Sequence, residues 1–336
     1  MAKGSKKVGK GVLWTLIGIF SAVVAGVAGW IIYSWKYIQH NLQLNQAFDV
    51  EPKDYQSDHA GRLSYYSDSR GSGVPIVLLH SINAASSAFE MKPIFERFRG
   101  SRPVFVLELP GFGFSDRSNR VYNPFLYQTA IFEFLRDVVG QPADLVTLSL
   151  SAEFAGGTAV HHPELIRSLV MISPTGFEPL KVSAVAERLK KRGAKDTLYS
   201  GLSVGLWNRP FFDLVSSRPS IKYFLNQSFE GVVPDRMVDY AYATAHQVGA
   251  EHAPTYFLSG KLFTPAVRET VYRLIAQPVL VIYDRDPNTN FEMLPLMLKE
   301  LENWQGVRIC PTKGLPHWEE PEKTWDAMTE FWEGIS

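Results

Sequence analysis

Hydrophobic and polar positions divide this chain into three unlike stretches. From Gly11 to Trp35, 25 positions pass without an Asp, Glu, Lys, Arg, His, Asn or Gln. Residues 36–60 are polar and weakly periodic, with Asn41, Gln43, Asn45, Gln46, Asp49, Glu51, Lys53 and Asp54 close together. Beyond residue 60, short apolar runs alternate with helical patterns. The runs are Arg62–Ser67, Val74–Leu79, Pro103–Leu107, Asp144–Leu148, Arg167–Ser173, Pro278–Tyr283 and Val307–Cys310. Such runs, bounded by Gly, Pro and polar residues, read as strands buried on both faces of a parallel sheet. Ala88–Phe98, Leu126–Val139, Ala152–His162 and Trp325–Trp332 carry apolar residues at helical spacing, and Gly140 and Pro163 stop two of them.

Strand alternating with helix predicts an α/β fold, a mostly parallel central sheet flanked by helices with right-handed crossovers. The rhythm stops between Gly176 and Ala276. No strong strand run occurs there, and Val182–Lys191, Val233–Val248 and Thr264–Ile275 look helical. A helical cap over residues 177–276 is therefore expected, inserted into a core of residues 61–176 and 277–336. Residues 36–60 are expected to be a linker.

The first stretch is long enough to cross a bilayer. As a helix it spans about 37 Å against a hydrocarbon core of about 30 Å. Trp14 lies near one end and Trp30, Tyr33, Trp35 and Tyr37 near the other, as in aromatic belts. A cleaved signal peptide and a buried helix are the other readings. A signal peptide would end its apolar run near the small residues Gly26, Ala28 and Gly29, but Trp30, Ile31 and Ile32 continue it. The expectation is one N-terminal transmembrane helix over residues 11–35, preceded by a basic tail over residues 1–10. Lys3, Lys6, Lys7 and Lys10 place that tail in the cytoplasm and the rest of the chain on the exoplasmic side. Gly18, Ala22 and Gly26 recur every fourth residue, a spacing that can pair helices in lipid.

Composition narrows the field. The 336 residues carry 34 basic and 34 acidic side chains. A neutral chain of ordinary apolar content is neither disordered nor built around a basic nucleic-acid surface. A single cysteine, Cys310, excludes an intramolecular disulfide framework and a multi-thiolate metal site.

The candidate chemistry begins at Thr147-Leu148-Ser149-Leu150-Ser151, between a strand and a helix. A serine on that turn can stand above the sheet with the next backbone N–H, from Leu150, facing developing negative charge. The pattern alone does not separate a nucleophile from a helix-capping serine, nor Ser149 from Ser151. A serine nucleophile needs a base and an acid that orients it. Asp284 and Asp286 follow one strand run and His317 follows the last, in the chain order serine, acid, histidine.

With these pieces together, residues 61–334 resemble the α/β-hydrolase superfamily of the capped type. His80-Ser81-Ile82 is similar to its oxyanion loop, and Leu109-Pro110-Gly111-Phe112-Gly113-Phe114-Ser115-Asp116 to its glycine-rich loop. His162-Pro163-Glu164-Leu165-Ile166-Arg167-Ser168-Leu169-Val170 resembles the segment that follows the nucleophile helix. Pro316-His317-Trp318 with Glu320-Pro321 resembles the histidine loop. The resemblance implies Ser149 as nucleophile, Asp286 as acid, His317 as base, and N–H groups of Leu150 and Ile82 as the oxyanion site. Ser151 and Asp284 are the alternates. Thr147, Ser151 and Ser81 stand where the family has small residues or glycine. The implied reaction is hydrolysis of an ester-like bond through an acyl-enzyme, with no cofactor or metal. C–C bond hydrolysis, acyl transfer to another acceptor, a non-catalytic binding module and a membrane-interaction protein are the alternatives. The expected partners are a small, lipophilic substrate and membrane lipid.

Other residues receive plainer readings. His161 and His162 suit a helix end. His246 and His252 lack a metal-spaced carboxylate pair. Gly111 and Gly113 are too few for a dinucleotide fingerprint. Arg188, Lys190, Lys191, Arg192 and Lys195 form a basic cluster that reads as a solvated face or a contact with anionic lipid.

Overall fold

The computed structural model describes residues 10–179 and 184–335, with side chains over residues 14–179 and 193–335. Lys3, Lys6, Lys7, the side chains of Lys10, Arg188, Lys190, Lys191 and Arg192, and Val182 lie outside the described residues.

The apolar stretch forms one helix, α1 (Lys10–Tyr37). Over Trp14–Tyr37 it is long and apolar enough to cross a membrane. Most of its side chains are exposed, and nothing lies within 4 Å of a Cβ built on Gly18 or Gly26. Its last turns are different. Trp30 Nε1 donates to the Pro210 carbonyl (2.8 Å) and Ser34 Oγ to the Asp213 carboxylate (2.5 Å).

The expected linker is partly structured. Ala47 and Phe48 are buried, and Phe48 packs on Tyr66 and Phe95. Lys53–Ser57 forms β1, paired antiparallel with β2 (Gly61–Asp68). As an edge strand, β1 hides little of itself, so no apolar alternation announces it.

The core alternates as the pattern predicts. β3 (Ile76–Leu79) leads to α2 (Lys92–Phe98), β4 (Val104–Leu107) to α3 (Pro124–Phe134), and β5 (Ala143–Leu148) to α4 (Ser151–His161). β6 (Ile166–Ile172) precedes the cap. In the cap lie α5 (Ala184–Leu202), α6 (Asn208–Val215), α7 (Arg218–Ser228), α8 (Asp235–Ala245), α9 (His252–Leu258) and α10 (Val267–Thr270). The chain then closes with β7 (Val279–Tyr283), α11 (Leu294–Glu300), β8 (Trp304–Arg308), α12 (Pro316–Glu319) and α13 (Pro321–Gly334). β8 starts earlier than the apolar run Val307–Cys310, and its Gln305 and Gly306 are exposed at the sheet edge, which hides its strand character in the sequence.

The strand order is β1-β2-β4-β3-β5-β6-β7-β8, with β2 antiparallel to both neighbours and the rest parallel. Every residue of β3 and β5 is buried. Successive residues face opposite sides: Leu145, Leu169 and Val281 join one apolar cluster, Val146, Val170 and Leu280 the other. β3, flanked by β4 on one side and β5 on the other, is where the strand order reverses, and its end pairs with that of β5. That is where an open α/β sheet presents a ligand crevice.

Candidate active site

β5 runs straight into the turn that carries Ser149. The Ser149 N–H donates to the Ile172 carbonyl (2.9 Å), so the sheet ladder holds the chain up to this residue. Ser149 then takes φ 55°, the left-handed region that non-glycine residues avoid. The Ala152 N–H bonds back to the Ser149 carbonyl (3.2 Å) and α4 begins. Strain of this kind persists only where surrounding structure enforces it. Here the ladder before it and the helix after it do so.

Thr147 fits despite its bulk. It is buried, and its hydroxyl donates to the Val170 carbonyl (3.3 Å). Ser151, the alternate, is held by the backbone. Its buried hydroxyl accepts from the Leu148 N–H (3.1 Å) and lies 2.9 Å from the Leu148 carbonyl, so the backbone occupies it.

Ser149 and Leu150 line a cavity of about 300 Å³ with Ser81, Ile82, Asn83 and Glu90 from the β3 loop, and with Asp286, Gly314 and Leu315. Val215, Ile221, Phe224, Leu225 and Tyr240 supply its cap wall. Among the described residues, no acceptor is bonded to the backbone N–H of Ile82 or of Leu150. The Ser81 N–H, by contrast, is held by the Glu90 carboxylate (2.8 Å). Both N–H groups expected at the oxyanion site thus have no acceptor among the described residues.

The two aspartates separate. Asp284 faces away from the cavity; it pairs with Arg308 (2.7 Å) and accepts the Thr312 N–H (2.9 Å). Burial alone would raise its pKa, but those bonds outweigh burial and lower it. Asp286 lines the cavity. Burial pushes it up to about 6, against the N–H groups of Asn288 and Thr289.

Among the described residues, no hydrogen bond joins His317 to Ser149. The His317 side chain is fully buried. Its Nε2 donates to the Glu90 carbonyl (2.9 Å), and its Nδ1 has no partner. Burial drops its pKa to about 4, so it is neutral at pH 7. No carboxylate is among the influences on it. The cavity position beside Asp286 belongs instead to Gly314: a Cβ there would lie 2.8 Å from Asp286 Oδ2.

Sequence reasoning missed Glu90. Its carboxyl lies in the cavity wall, where burial pushes it up to about 7 against bonds from Ser81, Asn83 and Ser86. Nothing local in the sequence marks it, because its state comes from the fold around it. Among the described residues no cluster of His, Cys, Asp or Glu has the form of a metal site.

The sequence profile of the alpha/beta hydrolase family matches residues 76–327. The chain belongs to that family. Over 131 residues the chain is 29% identical to 2-(acetamidomethylene)succinate hydrolase of Mesorhizobium japonicum, covering 37% of this chain and 46% of that protein. Over 108 residues it is 28% identical to 2-hydroxymuconate semialdehyde hydrolase of a Pseudomonas species, covering 32% and 38%. The matched stretches therefore span less than half of these relatives. Among solved structures, a serine hydrolase of carbazole degradation aligns with TM-score 0.66 at 17% identity, over 84% of this chain and 99% of that one. A membrane phospholipase A aligns with TM-score 0.65 at 19% identity, over 97% and 99%. Likeness at such identities establishes the fold of this hydrolase.

Proposed function

We propose that this hydrolase cleaves an ester-like bond of a lipophilic carbonyl compound, with Ser149 as nucleophile and Asp286 as the proton-accepting group. The observation that carries the reading is Ser149 itself. It is held at φ 55° on the cavity floor, beside two N–H groups with no acceptor.

The Ser149 hydroxyl passes its proton to the Asp286 carboxylate as Oγ attacks the carbonyl carbon. Ile82 and Leu150 N–H groups hold the oxyanion. The bond to the leaving oxygen breaks, and that oxygen takes the proton from Asp286. Water then attacks the acyl-serine in the same way and releases the acid. A carboxylate near pKa 6 is ionised at pH 7 and more basic than an exposed one.

The same proposal includes an anchor. The apolar run continues past the small residues Gly26, Ala28 and Gly29 through Trp30, Ile31 and Ile32, and Trp30, Ser34 and His40 bond the end of this segment to α6. With the basic tail in the cytoplasm, the catalytic domain faces the exoplasmic side. The fold likeness to a protein named a membrane phospholipase A is in keeping with a lipophilic ester.

Labelling with a fluorophosphonate, followed by peptide mass spectrometry, tests the nucleophile. An adduct on Ser149, abolished by Ser149→Ala and kept in Ser151→Ala, is expected. An adduct on Ser151 overturns the assignment, and no adduct on the folded wild type favours ligand binding without turnover. A reporter fused after Ser336 should be active on the exoplasmic side, and cytoplasmic activity refutes the orientation.

A further inference from the structure

The cap turns one apolar face outward, and that face lies at the end of α1. Leu206, Trp207, Phe211 and Leu214, in and before α6, and Tyr223 and Phe224 of α7, are all exposed. Apolar residues exposed singly need no explanation, whereas a group on two packed helices does. The end of α1 is fastened to this group. Trp30 Nε1 reaches the Pro210 carbonyl (2.8 Å) and Trp35 Nε1 the Leu206 carbonyl (3.3 Å). Ser34 Oγ (2.5 Å), His40 Nε2 (2.9 Å) and Arg209 Nε (3.0 Å) converge on the buried carboxylate of Asp213. The face is fixed relative to α1.

The length of α1 sets the level of that face. Gly11 to Gly29 spans 19 residues, about 28 Å as a helix and close to the hydrocarbon thickness of a bilayer. The contacts with the cap begin at the next residue, Trp30. The hydrocarbon boundary therefore falls where α6 starts, and Trp30, Tyr33, Trp35 and Tyr37 sit at that level with Trp207.

The same two helices wall the cavity. Val215, Ile221, Phe224 and Leu225 line it. Phe224 does so while 53% exposed. Phe224 thus belongs both to the wall of the Ser149 cavity and to the outer apolar face.

We propose that the α6–α7 face of the cap rests in the headgroup region of the bilayer that α1 crosses, and that the cavity takes its substrate from the lipid phase past Phe224. This rests on the anchor reading above. The occupant is lipid because the face continues the surface of a helix that lipid must already cover.

The test uses the full chain with Cys310→Ser and one new cysteine at a time: Phe20→Cys, Phe211→Cys, Leu214→Cys or Leu296→Cys. Each carries a nitrobenzoxadiazole fluorophore in phosphatidylcholine nanodiscs doped with shallow or deep nitroxide lipids, one protein per disc. Quenching by deep nitroxide at position 20, by shallow nitroxide at 211 and 214, and by neither at 296 is the expected result. Quenching at 20, with 211 and 214 behaving like 296, overturns the proposal and leaves the anchor intact. Loss of quenching at 20 overturns both. Fluorophore self-quenching at 211 or 214 that grows with the number of proteins per disc assigns the face to a second copy and also overturns it. The substrate route has its own arm. Phe211→Glu with Leu214→Glu is expected to slow a long-chain ester in vesicles by roughly tenfold and leave a soluble short-chain ester unchanged. Equal loss on both esters overturns the route.

Discussion

His317 Nε2 donates to the backbone carbonyl of Glu90 at 2.9 Å. Through Glu90 the imidazole reaches the oxyanion loop, because the Glu90 carboxylate accepts the Ser81 N–H (2.8 Å) next to Ile82. Trp318 Nε1 bonds to the same carbonyl (2.7 Å). The histidine that motif reading assigns to proton transfer is thus bonded to the loop that faces the oxyanion.

His317→Gln is expected to lower stability by about 1–3 kcal/mol, as loss of a buried hydrogen bond does. It should also change the pH dependence of stability. Burial lowers the folded pKa of His317 to about 4 from its ordinary 6.5. A group with a depressed folded pKa contributes stability above its unfolded pKa and loses it as pH falls towards the folded one. Melting curves of the variant should therefore be flatter than wild type between about pH 6.5 and 4. Equal slopes would mean that His317 is not buried as described.

Asp286 sets an expected limb in the pH–rate profile. Its pKa is about 6, raised by burial, and its role requires the ionised form. Turnover at subsaturating ester should fall about tenfold per pH unit below 6, and this limb should vanish in Asp286→Asn. A profile flat down to pH 4.5 would remove Asp286 from the chemistry.

Gly314 offers a gain-of-function test. Its Cβ direction points at Asp286 Oδ2, 2.8 Å away, so a larger side chain there must displace the carboxylate slightly. Gly314→His would set an imidazole beside that carboxylate within the Ser149 cavity. Phosphonylation of Ser149 is expected to speed up by a factor on the order of 10², while Gly314→Ala slows it. Equal rates in the two variants would mean that no base can act from this position.

Ser151→Ala should leave the phosphonylation rate within about twofold and lower stability by about 1 kcal/mol, since its hydroxyl serves only backbone groups. Thermal melting and labelling together check this.

The core was legible in the sequence because β3, β5 and β6 are buried along nearly their whole length, so their apolar runs are continuous. Ser149 was legible because a strand, a turn and a helix meet there within five residues. Edges were not: β1 and β8 carry outward polar residues that hide their strand character. The hydrogen bond from His317 to Glu90 was not legible for a different reason. Gly314 and Leu315 take the cavity positions, and Pro316 starts α12, so His317 is turned towards the start of α2 instead. That direction depends on loop length, which a short motif does not encode. The states of Glu90 and Asp286 arise from burial by distant segments, which no local pattern reveals.

The most direct test compares the fluorophosphonate reaction rate of Ser149 in wild type, Asp286→Asn and His317→Gln, each checked for folding by thermal melting. With Asp286 as the proton acceptor, Asp286→Asn should slow the reaction by roughly 10²-fold or more and His317→Gln by less than about tenfold. The reverse order, with folded His317→Gln inert and Asp286→Asn only mildly slowed, would contradict the assignment and return the proton to His317.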